Sequence, residues 1–209
     1  MMLYVNGDSH SAGTDLKDIS QAWPTILSNK LNLNVINESK PGGSNPRILR
    51  TTGNFTTHAK DIFVVIGWTS WEREEWYVDN KYYDVNAGGH DPLPEKLIAR
   101  YKSWVIKQDE EQRRCKSKIA HDQIYKLHCQ YKDRKIPHLF FNALMPFTPC
   151  TQKVDWHNNY FGPYENESSY YWHLTKAGFI SNEFYHHSEL AQSYWANVLY
   201  EYIIQKNIL

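Results

Sequence analysis

Gly7-Asp8-Ser9 follows a short apolar run, Leu3-Tyr4-Val5, and Glu183-Phe184-Tyr185-His186 stands near the other end of the 209-residue chain. A serine at the tip of a first strand and a late Glu/His pair are the parts of a serine hydrolase. A serine hydroxyl is a weak nucleophile until a base takes its proton, and the base works best when a third group orients it. The two segments are remote in sequence, so only a fold can bring them together.

The elements that would position them are legible in the hydrophobic pattern. Residues 2–6 read as a buried strand ending in the Gly-Asp-Ser turn, and Trp23, Ile26, Leu27 and Leu31 recur at helical spacing. Val35-Ile36 forms a second short strand, followed by a Pro41-Gly42-Gly43-Ser44-Asn45 loop in which Ser44 or Asn45 caps the next helix. Asp61 to Trp68 is a continuous apolar run, the mark of a strand buried on both faces, as in a parallel sheet. Residues 69–95 hold Trp71, Trp76, Tyr77, Tyr82 and Tyr83, then Gly88-Gly89 and two prolines, and read as an insertion or lid.

Residues 95–134 predict one or two long helices, with Leu97, Ile98, Tyr101, Trp104 and Val105 on one face. The charged stretch from Asp109 to Lys118 reads as a solvated helix face with internal ion pairs. His138 to Leu144 is another buried strand, residues 146–182 are a long aromatic-rich connection, and Leu190 to Ile204 is an amphipathic helix. Strands alternating with helices predict an α/β sandwich around a mostly parallel sheet, one domain over residues 1–209. In such sheets ligands bind beyond the carboxyl ends of the strands, where Ser9, the Asn37–Gly42 stretch and Gly67-Trp68-Thr69 would all lie.

The totals narrow the classes. Lys+Arg and Asp+Glu are both 23, so no global field draws the chain to nucleic acid or an anionic membrane. Aromatic residues make up 15% of the chain, more than a core needs, and such a surplus suits stacking on sugars or other flat ligands. Cys115, Cys129 and Cys150 show no CxxC spacing and read as isolated thiols, with neither a disulfide framework nor a zinc site. No metal or cofactor is expected. The apolar start is short and runs straight into Gly7, and no apolar stretch approaches the ~20 residues of a membrane span, so the expectation is a cytoplasmic protein.

Four short blocks give the chain a resemblance to the SGNH (GDSL) hydrolase family. They are Gly7-Asp8-Ser9-His10-Ser11-Ala12-Gly13, Asn37-Glu38-Ser39-Lys40-Pro41-Gly42, Ile66-Gly67-Trp68-Thr69-Ser70, and Glu183-x-x-His186-His187-Ser188. The resemblance implies a three-layer, flavodoxin-like fold with Ser9 as nucleophile and His186 as general base, His187 being the alternative. It implies Glu183 as the orienting acid, and an oxyanion hole from the N–H groups of Ser9 and Gly42. At the third block the family has Gly-x-Asn-Asp, and Thr69 stands where an asparagine amide supplies a third oxyanion donor. Thr69, Ser70 or Arg73 are the substitutes to hand, and one such donor is worth ~3 kcal/mol in the transition state. His10, Trp68, Trp71 and Arg73 are candidate substrate contacts. Asp8 is expected to fix the turn.

The implied activity is an ester hydrolase that removes a small acyl group, such as acetyl, from a carbohydrate through a Ser9 acyl-enzyme. The alternative is a non-catalytic glycan-binding or virion structural protein on the same scaffold. The third block also resembles bacteriophage-encoded members of the family, which implies virion association as a second location.

Overall fold

In a computed structural model, described at residues 1–149 and 151–209, the chain alternates strand and helix from its start. The main sheet contains β1 (Met2–Asn6), β2 (Asn34–Asn37), β3 (Ile62–Trp68), β7 (His138–Asn142) and β8 (Tyr160–Phe161), in the order β2-β1-β3-β7-β8. Every pairing in it is parallel. A second, antiparallel sheet holds β4 (Glu74–Val78), β5 (Lys81–Asn86) and β6 (Gly89–His90). The helices are α1 (Ser9–Ala12), α2 (Trp23–Leu31), α3 (Asn45–His58), α4 (Glu95–Ile106), α5 (Glu110–Asp133), α6 (Tyr170–Lys176) and α7 (Glu189–Gln205).

Strand periodicity sorts the core into two halves. Leu3, Val5, Phe63, Val65, Leu139 and Phe141 point to one face and pack with Trp23 and Leu27 of α2, Leu174 of α6 and Trp195 and Leu199 of α7. Tyr4, Val64, Ile66, Trp68 and Phe140 point to the other and meet Ile48 of α3 and Ile124, Leu127 and Tyr131 of α5. All seven residues of β3 are buried, as its unbroken apolar run requires. The result is the three-layer α/β architecture that the strand–helix alternation predicts. Because the strands are parallel, their carboxyl ends lie along one edge, and β1 delivers Ser9 there.

Three segments refine the sequence reading. Residues 74–90 form the three-stranded antiparallel sheet, whose first hairpin closes at Asp79-Asn80, both at positive φ as a two-residue turn of this hand demands. Its Trp76 and Val85 pack under Leu97 and Trp104 in a small core of their own. The 95–134 region is two helices rather than one, because Asp109 caps α5 by accepting from the Gln112 N–H. The 146–182 connection contains β8 and α6, pieces of two and seven residues that are too short to show periodicity. No described helix is long and apolar enough to cross a membrane. Cys115 and Cys129 are free thiols, and Cys150 lies outside the described residues.

Candidate active site

The turn after β1 is built around Asp8. Its carboxylate caps α1 by accepting from the His10 N–H (3.1 Å) and the same oxygen meets His10 Nδ1 at 3.0 Å. The other oxygen accepts from the Thr69 hydroxyl (2.7 Å) and from Arg73 Nη1 (3.5 Å). Asp8 is fully buried. Burial alone would push its carboxyl up, but the charges of His10 and Arg73 and the hydrogen bonds from His10 and Thr69 outweigh this and hold it below the usual carboxylate range. Ser9, the first residue of α1, is thereby fixed at the strand tip with 8% of its surface exposed. Its hydroxyl makes no hydrogen bond with another described residue. Gly7 must be glycine here, since an added Cβ would lie 2.5 Å from Ser11 Oγ.

The loop after β2 is stitched to this turn by the Lys40 N–H, which donates to the Gly7 carbonyl (3.1 Å). Gly42 has φ +72°, a left-handed conformation that favours glycine. Among the described residues neither the Ser9 nor the Gly42 backbone N–H donates to another protein group. Two free N–H groups on adjoining loops are the arrangement an oxyanion needs.

His186 arrives from a tight turn knotted by Asn182. The Asn182 side-chain oxygen accepts from the N–H groups of Phe184 (3.0 Å) and His186 (2.9 Å). His186 packs edge-on against the His10 ring, 5.6 Å between centroids, which brings it beside α1. The acid on its ring is not Glu183. Asp15 Oδ2 lies 2.7 Å from His186 Nδ1 and also accepts from the Asn182 amide (2.9 Å). The hydrogen bonds from His186 and Asn182 pull the Asp15 carboxyl below its ordinary range. Glu183 is exposed and makes no hydrogen bond or ion pair with a described residue, and the chain turns between it and His186 at Tyr185, which has a positive φ. His187 is buried with both ring nitrogens unpartnered, and burial, helped by the neighbouring His10 and His186, pushes it down to about 4. Of His186 and His187, the one with a carboxylate on its ring is therefore His186.

Thr69 does not stand in for the missing asparagine. It is fully buried, its hydroxyl is spent on Asp8, and its backbone N–H is taken by the Asn45 side-chain oxygen (3.0 Å). Trp68 is likewise a core residue, fully buried and edge-on to Phe140, and not a substrate contact. His10 is 4% exposed and its Nε2 is enclosed without a partner. Arg73 bridges Asp8 and the Gly43 carbonyl (3.3 Å). Ser70 is buried beside them. Trp71 stacks on Phe147 and floors a cavity of about 760 Å³ whose walls include Met145, Pro146 and Trp172, beyond the carboxyl ends of β3 and β7.

Three contributors were not singled out from the sequence. Asp15 and Asn182 act through a contact spanning nearly the whole chain, which no local pattern encodes. Asp84, on β5, is buried and accepts from both the N–H (3.0 Å) and the hydroxyl (2.7 Å) of Ser44, while its other oxygen meets Lys40 at 2.9 Å. It holds both ends of the Gly42 loop. Among the described residues no cluster of three or more His, Cys, Asp or Glu could hold a metal.

Comparison with known proteins agrees with the fold. The esterase EstA from Pseudoalteromonas, in a structure inhibited by monoethylphosphonate, is similar over 98% of this chain and 97% of its own (TM-score 0.54, 12% identity). TesA is similar over 100% of both chains (TM-score 0.54, 16% identity). A lipolytic protein of the G-D-S-L family from Veillonella parvula is similar over 98% and 97% (TM-score 0.50, 13% identity). The chain thus has the fold of the G-D-S-L hydrolases. No curated protein matches it by sequence. The model of a family of unknown function, DUF6071, matches residues 3–153.

Proposed function

We propose, for a chain that belongs to DUF6071, a family of unknown function, that it is a serine esterase acting on a small acyl group carried by a carbohydrate. The observation that carries this reading is the Asp15–His186 pair at 2.7 Å, set beside a strand-tip serine. The carboxylate accepts from Nδ1–H and so fixes the tautomer in which Nε2 is free to act as base. Ser9 Oγ attacks the ester carbonyl as its proton passes to His186 Nε2. The developing oxyanion takes the N–H groups of Ser9 and Gly42. His186 then protonates the leaving alcohol, and water, activated by the same nitrogen, releases the acid from the acyl-enzyme and restores Ser9.

The carbohydrate assignment is supported by the cavity over β3 and β7. Its floor is the Trp71–Phe147 stack, and Trp172 stands on its wall with 43% of its surface exposed. Glu72 and Arg113 on the same lining supply polar partners, a combination that suits a sugar ring.

The test is turnover of p-nitrophenyl acetate by wild type, Ser9→Ala and His186→Ala. The reading expects activity in wild type and its loss in both variants. A non-catalytic glycan-binding protein on this scaffold is favoured by one observation, the engagement of the Thr69 hydroxyl on Asp8. It expects three folded, equally inert proteins that still bind sugars.

A further inference from the structure

The oxyanion hole described above has two backbone donors and lacks the side-chain donor that Thr69 cannot supply. We infer that Arg73 is that third donor, a catalytic residue whose guanidinium takes the charge of the tetrahedral intermediate. This rests on the esterase reading.

Arg73 Nη1 donates to Asp8 Oδ2, next to Ser9, and to the carbonyl of Gly43, next to Gly42. The guanidinium thus spans the two backbone segments whose free N–H groups would hold the oxyanion. Its arm is largely enclosed, with 14% of the side chain exposed, and Nε is shut away from solvent without a partner. Among the described residues Nη2 makes no hydrogen bond, and it is not one of the enclosed, unpartnered atoms. It is therefore the part of the fork left open to a ligand.

The surroundings preorganise it. Asp8 is itself locked by His10 and Thr69, so the carboxylate that aims Arg73 cannot swing away. The Asn45 amide is not free to replace it: it is tied to the Thr69 backbone, donating to its carbonyl (3.0 Å) and accepting from its N–H (3.0 Å). A fixed cation in a partly dry site is worth more than a hydroxyl rotor, because it needs no reorientation as charge develops. Arginine four residues after Thr69 thus takes over what an asparagine amide would do from the Thr69 position.

The experiment measures kcat and KM for p-nitrophenyl acetate in wild type, Arg73→Ala and Arg73→Lys, with melting curves and with added guanidinium chloride at millimolar levels. We expect kcat to fall on the order of 100-fold in Arg73→Ala, with KM changed by less than about 3-fold, and guanidinium to restore at least part of kcat. Arg73→Lys, which keeps a charge beside Asp8 but not the fork, should lose roughly 10-fold. A folded Arg73→Ala with wild-type kcat overturns the assignment. So does a variant whose KM alone rises, or one that guanidinium leaves untouched.

A readout that needs no variant to fold is the ¹⁵N resonance of the Arg73 guanidinium in wild type. It should shift when Ser9 is phosphonylated, because the phosphoryl oxygen occupies the oxyanion position, and an unshifted resonance overturns the proposal. A wild type that neither turns over ester nor accepts the phosphonate instead removes the esterase reading, and this inference with it.

Discussion

Asp15 and Glu183 compete for one role, and geometry assigns it to Asp15. It accepts from His186 Nδ1 and Asn182, while Glu183 faces solvent. Asp15→Asn should therefore lower kcat on the order of 100-fold, because the amide no longer enforces the tautomer with a free Nε2. Glu183→Gln should stay within about 2-fold of wild type, and steady-state kinetics on both variants decides. Ser9, His186 and Gly42 stand out as candidates in the sequence because a short motif on a strand tip or a forced positive φ leaves a local mark. Asp15 does not, because its partner is 171 positions away. Thr69 and Trp68 misled for a related reason. A residue's place in a motif says which strand end it occupies, not whether its hydroxyl is already bonded or its ring already buried. In the cavity, Trp172→Ala should raise KM for an acetylated oligosaccharide by about 10-fold with little change in kcat, since stacking contributes to ground state and transition state alike.

At the scale of elements, the β4–β5 hairpin is a brace for the loop that carries Gly42. Asp84 on β5 accepts from Ser44 N–H and Oγ–H and from Lys40, so the loop is pinned on both sides of Gly42. A second link is Arg50 of α3, whose guanidinium pairs with Glu75 of β4 and lies over the Tyr82 ring. Asp84→Ala leaves the buried Ser44 N–H and hydroxyl without their acceptor, while Lys40 keeps Asp91, and should cost about 2 kcal/mol in a denaturation curve. It should also lower kcat roughly 10-fold by loosening the Gly42 N–H. The aromatics and glycines of residues 69–95 read as an insertion or lid, and the structure places the antiparallel β4-β5-β6 sheet there. That this sheet reaches back to the second block is illegible in the sequence, because Asp84 looks like any polar strand residue until its neighbours are known. The strands of the main sheet were legible for the opposite reason: burial on both faces forces an unbroken apolar run.

The whole molecule carries a titration apart from the site. His128 of α5 and His138 at the amino end of β7 are both buried, with His128 Nδ1 and His138 Nε2 2.8 Å apart. His138 Nδ1 meets the Ile136 carbonyl at 2.8 Å, so Nδ1 carries the proton and Nε2 accepts from His128. A proton added to His138 Nε2 removes the lone pair that accepts from His128. Burial accordingly pushes both down to about 4, with the neighbouring His157 and Lys132 opposing charge on His128 and with His128 and Lys132 opposing it on His138. In the unfolded chain each titrates near 6.5, so between the two values the unfolded state holds more protons. Their contribution is fully present above pH ~6.5 and is lost as pH falls toward 4. Melting temperature should drop across that window, and His128→Phe should flatten the drop. A profile unchanged between pH 7 and pH 4.5 would contradict the buried neutral pair.

The central claim is that folding brings an activated serine to the end of β1. It is tested most directly by reacting the protein with a fluorophosphonate and mapping the adduct by mass spectrometry. The account predicts a single adduct on Ser9, absent in Ser9→Ala and slowed in both His186→Ala and Asp15→Asn. A folded wild type that stays unlabelled, or one labelled elsewhere at the same rate in Ser9→Ala, would contradict it.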